Sequence, residues 1–229
     1  YTTLCRSTAG QPRVLVVTGG HAFERLPFLE LFTSLNNATF RVVQHPSAQA
    51  LFQPEATNQY DVVVLYDMWQ PIDDRDKTNF LALARSGKGF VVLHHAIANY
   101  NAWDAYHDLV GARYYLQPEI VEGRKKARSQ YQHDVTFTVN IAAPQHPVTR
   151  GLTSFEIRDE TYQGFEVAAD VQPLLTTTEL SSGPVIGWAK TNGLSRWVYV
   201  QLGHDHHAYA NPHYRQLVQQ AIQWVTGGE

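Results

Sequence analysis

Several apolar segments of this sequence are followed directly by histidine. His21, the pair His94 and His95, and His204 each come after a run that is typical of a buried strand. Ligands of open α/β sheets bind just beyond the carboxyl ends of the strands. A single buried histidine is more often a hydrogen-bonded part of a core, but here the pattern recurs. We therefore expect these imidazoles to meet in one pocket.

A fourth junction, Asp159-Glu160-Thr161-Tyr162, adds carboxylates and a phenol. An imidazole with a pKa of about 6.5 that is oriented by a carboxylate can move a proton at neutral pH. Asp159 and Glu160 alternate along a predicted strand, so at most one of them is expected to face the pocket. The alternative for this pair is a surface salt bridge with Arg158 or Arg196.

The same residue types can also bind a divalent metal such as zinc, and a catalytic zinc site keeps one position open for water. His95, His204 and Glu160 are the candidate ligands. They would come from separate strands, because the sequence has no compact His-Glu-x-x-His motif. The tandem His206-His207 could bind metal at the surface without any function. A metal hydrolase that acts on esters or amides is an alternative function for such a site.

Aromatic residues crowd the same junctions. Core packing explains most of them, but flat aromatic rings with polar tips also hold sugar rings. This composition favours a carbohydrate as the substrate. The aromatic candidates for substrate binding are Trp69, Trp103, Tyr162 and Trp188.

Short predicted strands alternate with helices of ten to fifteen residues in the first half of the chain. Strands are predicted at residues 13–17, 40–43, 60–66 and 90–93, and helices begin near Glu24, at Asp73 or Asp74, and near Trp103. This alternation predicts a doubly wound, mostly parallel sheet with helices on both faces.

The pattern changes after about residue 112. Residues 135–139 alternate as a half-buried strand, and the segments around residues 191–193 indicate a hairpin. We therefore expect an added antiparallel β portion in the C-terminal half, followed by an amphipathic helix at residues 214–225. The basic run at residues 124–128 is expected to be a solvated loop, or else an anion or substrate clamp at the rim of the site.

Composition limits the class of protein. The 229 residues suffice for one large domain, expected at residues 13–229 after a tail at residues 1–12. A net charge of −3 gives no basic footprint for nucleic acid, and no apolar window is long enough to span a membrane. The single cysteine, Cys5, excludes an internal disulfide framework. A homodimer is expected only because dimers are common among soluble enzymes.

The first residue is Tyr1, and the only methionine is Met68. A processed start and a surface poor in lysine favour a periplasmic or secreted location after signal removal, with the cytoplasm as the alternative.

The order of these motifs resembles the ThuA-like (trehalose utilisation) family. The similarity rests on Val-Val-Thr-Gly-Gly-His at residues 16–21 and on Gly-Phe-Val-Val-Leu-His-His-Ala at residues 89–96, followed by Trp103, Tyr106 and residues 109–111. Further matching segments are residues 146–148, 159–162, 196–199, 203–205 and 221–224. It covers roughly residues 13–226 and implies a flavodoxin-like fold of the class I glutamine amidotransferase-like superfamily. In amidotransferases a cysteine occupies the sharp turn after the central strand, where this chain has His94-His95. Glutaminase activity that depends on cysteine is therefore not expected.

The resemblance implies an enzyme that acts on a disaccharide or a 3-keto sugar, with His21, His95, Glu160 and His204 as catalytic residues. Tyr162 and Arg196 are implied as further contacts to the substrate. Neighbouring residues of a strand point to opposite faces, so one of His94 and His95 is expected to face the pocket. The alternative is a sugar-binding or regulatory protein that keeps the fold without the chemistry.

Overall fold

The structure is a computed structural model that describes residues 10–228. Most of the expected N-terminal tail, together with Cys5, lies outside the described residues. The strands are β1 (Arg13–Gly19), β2 (Thr39–Gln44), β3 (Val62–Asp67), β4 (Gly89–Leu93), β5 (Ala112–Arg113), β6 (Glu119–Val121), β7 (Arg124–Lys126), β8 (Gln130–Ile141), β9 (Phe155–Gln163), β10 (Glu166–Val167), β11 (Gln172–Thr176), β12 (Val185–Asn192) and β13 (Ser195–Val200). The helices are α1 (Arg25–Thr33), α2 (Asp74–Arg85), α3 (Asp104–Val110), α4 (His206–Ala210) and α5 (Pro212–Val225), with short 3-10 helices at Ser47–Phe52, Pro54–Gln59 and His94–Ala98.

Nine strands form one mixed sheet in the order β2-β1-β3-β4-β13-β12-β11-β8-β9. The first five strands of this order pair in parallel. All residues of β3 and β4 are buried, as expected for parallel strands that are covered on both faces. The strand order confirms the predicted doubly wound α/β sheet.

The other half of the sheet is antiparallel, as predicted for the C-terminal part of the chain. The hairpin between β12 and β13 turns at Gly193, whose φ of +60° suits a residue without a Cβ. Two further ribbons, β5–β10 and β6–β7, stand apart from the main sheet. Residues 124–126 of the basic run form β7, because they pair with β6 in a short antiparallel ribbon. The expectation of a solvated loop was wrong for these residues.

The helices pack on the two faces of the sheet and form two apolar cores. One core contains the buried faces of α1, α4 and α5, and the other contains those of α2 and α3. Local signals fix the helix ends: the Asp73 carboxylate accepts a hydrogen bond from the Asp76 N–H at 2.7 Å, and Gly111 ends α3 in a left-handed conformation. Within residues 10–228, no helix has the length and apolar character needed to cross a membrane.

Candidate active site

The predicted strand ends meet in the folded chain. Although β9 lies five places from β4 in the sheet order, Glu160 Oε2 of β9 lies 3.0 Å from His94 Nε2 at the end of β4. The antiparallel half of the sheet therefore curls back over the carboxyl ends of the parallel strands. His204, which follows β13, lies against the same two side chains.

His94 is the first residue of the 3-10 helix that follows β4, at the point where the chain turns sharply. Its φ of +52° is in the left-handed region, which is uncommon for a residue with a Cβ, and its side chain is fully buried. The ring Nδ1 donates to the Gln201 carbonyl at 2.6 Å, because a carbonyl can only accept. The opposite nitrogen, Nε2, therefore faces Glu160, and the Tyr162 hydroxyl lies 2.9 Å from it.

Glu160 is the centre of the cluster and contacts three imidazoles. Its Oε2 lies 3.0 Å from His94 Nε2 and 3.5 Å from His204 Nδ1, and its Oε1 lies 3.1 Å from His133 Nδ1. Only 5% of Glu160 is exposed, whereas the His133 side chain is about half exposed. The carboxylate thus links the buried ring of His94 and the partly buried ring of His204 to the ring of His133, which faces the pocket.

Asp159, the neighbour of Glu160, has a different role. It is buried and accepts hydrogen bonds from the backbone N–H groups of Gly203 at 2.7 Å and His204 at 2.9 Å. It also accepts from the Glu160 N–H at 2.8 Å. As expected, only one carboxylate of this pair faces the pocket. Because both are buried, neither forms the surface salt bridge that was the alternative.

His95 and His21 form a second imidazole pair, with ring centroids 4.6 Å apart. His95 is 3% exposed, and neither of its ring nitrogens has a hydrogen-bond partner within the described chain. Its ring lies 4.3 Å from that of Tyr66. His95 therefore faces His21 and Tyr66, whereas His94 faces Glu160.

The environment divides the imidazoles by charge. Burial lowers the pKa of His94, but its hydrogen bond to Glu160 and the charge of Glu160 outweigh burial, so the net pKa is raised. Burial likewise raises the pKa of Glu160, but contact with His94 outweighs it, and the net pKa is lowered. Burial, followed by charge repulsion from His94, lowers the pKa of His204 and lowers that of His95 much further. These shifts favour the ionised forms of His94 and Glu160 and the neutral forms of His204 and His95.

The pocket over this cluster has an aromatic rim. Trp69 and Tyr131 are each 53% exposed, although both are large rings. The remaining lining residues are His21, Met68, His95, Ile97, Ala98, Tyr114, Arg128, His133, Glu160 and Tyr162. Exposed aromatic rings above a polar floor can hold a flat, hydroxylated ligand.

Most of the expected site residues lie together. The pocket is lined by His21, Trp69, His95, Glu160 and Tyr162, and His204 lies beside it in contact with Glu160. His95 does not lie with the expected metal ligands, because its ring points toward Tyr66 and His21. The group whose atoms could share one ion is His94, Glu160 and His204.

Three expected substrate contacts lie elsewhere. Trp188 is fully buried and donates to the Val110 carbonyl at 2.7 Å, and the Trp103 ring packs 5.8 Å from the Phe80 ring. Arg196 donates to the Trp224 carbonyl at 2.9 Å, at the end of α5. These side chains belong to the packing of the sheet, so the expectation that they bind substrate does not fit their positions.

His133 is the main site residue that the sequence reading missed. The pairing of β8 with β9 shifts register between Gln132 and Val135, and Asp134 has a φ of +60°. Such a bulge re-aims the side chains beside it. The signal in the sequence is the polar stretch Gln132-His133-Asp134, which interrupts the alternation before residue 135. Arg128 at the end of the basic run also lines the pocket.

A comparison with known protein families covers nearly all of the described residues. Residues 13–225 match the family described as ThuA: Trehalose utilisation. The chain belongs to the ThuA family. No curated protein matches the chain significantly.

Solved structures resemble this ThuA-family chain in fold. A ThuA-like protein from Parabacteroides merdae is 15% identical with a TM-score of 0.79, and the match covers 96% of this chain and 91% of that one. A ThuA-like protein from Bacteroides uniformis is 20% identical with a TM-score of 0.70, covering 96% and 94%. A glutamine amidotransferase from Thermotoga maritima is 11% identical with a TM-score of 0.56, covering 95% and 99%. At such low identities, these structural matches show only that the fold is amidotransferase-like and flavodoxin-like.

Proposed function

We propose that this chain is a carbohydrate-modifying enzyme that acts on a disaccharide or a 3-keto sugar by His/Glu acid–base chemistry. The observation that carries the proposal is the contact of Glu160 with three imidazoles at the floor of a pocket with an aromatic rim. The family description, trehalose utilisation, supports a sugar substrate. The exposed rings of Trp69 and Tyr131 support the same substrate class, because sugar rings stack on flat aromatics.

His133 is the best candidate for the proton acceptor. Its Nδ1–H can donate to Glu160 Oε1 at 3.1 Å, which leaves the Nε2 lone pair free in the pocket. A carboxylate that orients an imidazole in this way is a recurring arrangement for a general base. A 3-keto group acidifies the C–H bonds next to it, so a base beside the carbonyl can remove such a proton. His21 lines the same pocket and is a second group for proton transfer.

Turnover of 3-keto-trehalose and of trehalose, followed by NMR, tests the proposal. Wild-type protein is expected to convert at least one of them. His133→Asn and Glu160→Gln are expected to lower kcat by roughly 100-fold or more, which is the range for loss of a general base. The matched control is His213→Asn, which removes an imidazole that stacks on Phe155 outside the pocket.

The same experiment decides the alternative, a sugar-binding protein without chemistry. One observation favours that alternative: the turn after β4, where amidotransferases of this fold are expected to hold a nucleophile, contains the fully buried His94. Calorimetric binding of the sugar with no product after long incubation would support the alternative. If the protein neither binds nor converts any disaccharide or keto sugar, both hypotheses are contradicted.

A further inference from the structure

We infer that His94, Glu160 and His204 form a binding site for one divalent transition-metal ion of the zinc type. The three ligand atoms are His94 Nε2, Glu160 Oε2 and His204 Nδ1. Two imidazoles and one carboxylate are a donor set that zinc accepts in catalytic sites, where a further position stays open.

The spacing of these atoms matches one face of a tetrahedral site. The His94–Glu160, His94–His204 and Glu160–His204 distances are 3.0, 3.3 and 3.5 Å. Ligands about 2.0–2.2 Å from a tetrahedral zinc ion lie about 3.3–3.6 Å from one another. An ion can therefore enter with only small movements of the side chains.

The hydrogen bonds around the cluster orient the lone pairs toward its centre. Because His94 Nδ1–H donates to the Gln201 carbonyl, Nε2 is the ring nitrogen that faces Glu160. An ion that displaces the proton between these two atoms would meet the Nε2 lone pair. His133 can donate to Glu160 Oε1 and leave Oε2 for the ion. Metal-bound histidines and carboxylates are commonly held by such outer hydrogen bonds. The Tyr162 hydroxyl, 2.9 Å from His94 Nε2, is a further polar group beside the site.

The backbone also fixes the third ligand. Asp159, the neighbour of Glu160 in β9, accepts hydrogen bonds from the N–H groups of Gly203 and His204. These bonds fix the position of the loop that carries His204 relative to Glu160. Adjacent residues of one strand thus supply a ligand and the anchor of another ligand. A bound ion would polarise the carbonyl oxygen of a substrate in the pocket and leave His133 Nε2 and His21 available for proton transfer.

A second group, Asp205, His206 and His207, provides an internal control. It also lies within metal-binding distance, but it is more exposed. Asp205 accepts from the His207 N–H as a helix cap, and His206 pairs with Glu24. Any adventitious surface binding by this tandem histidine is removed by a double variant, His206→Ala with His207→Ala.

Zinc binding to chelator-treated full-length protein, without any sugar, tests the site by competition with a chromophoric chelator. One Zn²⁺ per chain is expected. Glu160→Gln and His204→Gln should each weaken binding by more than the roughly 10- to 100-fold expected for His133→Asn, which removes only an outer hydrogen bond. The His206/His207 double variant should bind like wild type. Equal affinity in wild type and Glu160→Gln, or loss of binding in the double variant, would overturn the site.

Anomalous diffraction from wild-type crystals grown with Zn²⁺ supplies a test that needs no variant to fold. A peak within about 2.2 Å of His94 Nε2, Glu160 Oε2 and His204 Nδ1 is expected. Absence of a peak at saturating Zn²⁺ would mean that the cluster holds a proton only. Zinc binding without turnover of any sugar would leave this site intact and remove the proposed function. Turnover by a protein that binds no Zn²⁺ at these residues would leave the proposed function intact and remove the site.

Discussion

Asp159 holds the backbone of His204 by a hydrogen bond of 2.9 Å between the carboxylate and the His204 N–H. The same carboxylate accepts from Gly203 and from Glu160, so one buried side chain fixes two segments that are 44 residues apart. Burial raises the pKa of Asp159 to about 6, even though these hydrogen bonds favour the ionised form. The carboxylate thus serves as an anchor for the cluster.

Replacement of this anchor should destabilise the protein. Asp159→Asn puts an amide N–H₂ where one of the three backbone N–H groups needs an acceptor, and an unpaired buried donor costs about 1–3 kcal/mol. We expect this loss in the free energy of unfolding, measured in urea. Glu156→Gln, an exposed change on the same strand, should stay within about 0.5 kcal/mol of wild type. Similar stability of the two variants would show that Asp159 does not anchor the loop.

A close backbone approach beside His21 should make Gly20 irreplaceable. Gly20 has a φ of +81°, and a Cβ there would lie 1.7 Å from the Met68 carbonyl oxygen. Gly123 has a similar φ of +74°, with open space around it. Gly123→Ala should cost only the backbone strain, about 1–2 kcal/mol, whereas Gly20→Ala should cost clearly more. Equal unfolding free energies for the two variants would contradict the contact.

Trp69 should contribute to sugar affinity and little to stability. The ring is 53% exposed and lines the pocket, so its loss removes a stacking surface but little of the core. Trp69→Ala should raise the Kd for a bound disaccharide or keto sugar about 5- to 30-fold, which corresponds to about 1–2 kcal/mol. Leu180→Ala, which shortens another exposed apolar side chain outside the pocket, is the control. An unchanged Kd in Trp69→Ala would remove this ring from the binding site.

His107 should make the fold less stable in acid. Burial lowers the pKa of His107, and the charge of nearby Arg113 lowers it further. The hydrogen bond to the Asn101 carbonyl and the charges of Asp104 and Glu119 raise the pKa, but burial outweighs them. The unfolded state then takes up the proton first. Stability from this group is therefore present above the unfolded pKa of about 6.5 and is lost as pH falls through the folded value.

His107→Gln can keep the hydrogen bond to Asn101 without the titration. The free energy of unfolding is measured in urea at pH values from 8 to 5, and the value at pH 8 is the reference for each protein. Between pH 8 and pH 5 the variant should lose less of this free energy than wild type. All other titrating groups, including Asp159 with its opposite sign, contribute equally to both proteins. Parallel curves for wild type and variant would contradict the role of His107.

Local patterns in the sequence were enough to predict the strands that end in histidine, the capped helices and the hairpin at Gly193. Each depends on residues a few positions apart, where side-chain periodicity and turn preferences act directly. The recurrence of histidine after strands therefore located the edge of the sheet where His21, His95, Glu160 and His204 lie close together. The crowding of aromatic residues placed Trp188 at the site, and the family resemblance placed Arg196 there. Their actual positions depend on burial and on distant backbone partners, which have no local signature in the sequence.

The choice between His94 and His95 depended on tertiary structure. Strand alternation indicated that one ring faces the pocket, but the left-handed φ of His94 turns its Nε2 toward Glu160 and leaves His95 against His21 and Tyr66. His133 enters the cluster only through a bulge in β8 and the curl of the antiparallel strands over the parallel ones. Sequence periodicity determined which elements form. The cluster itself depends on contacts between residues up to 110 positions apart, and only the packed sheet decides those.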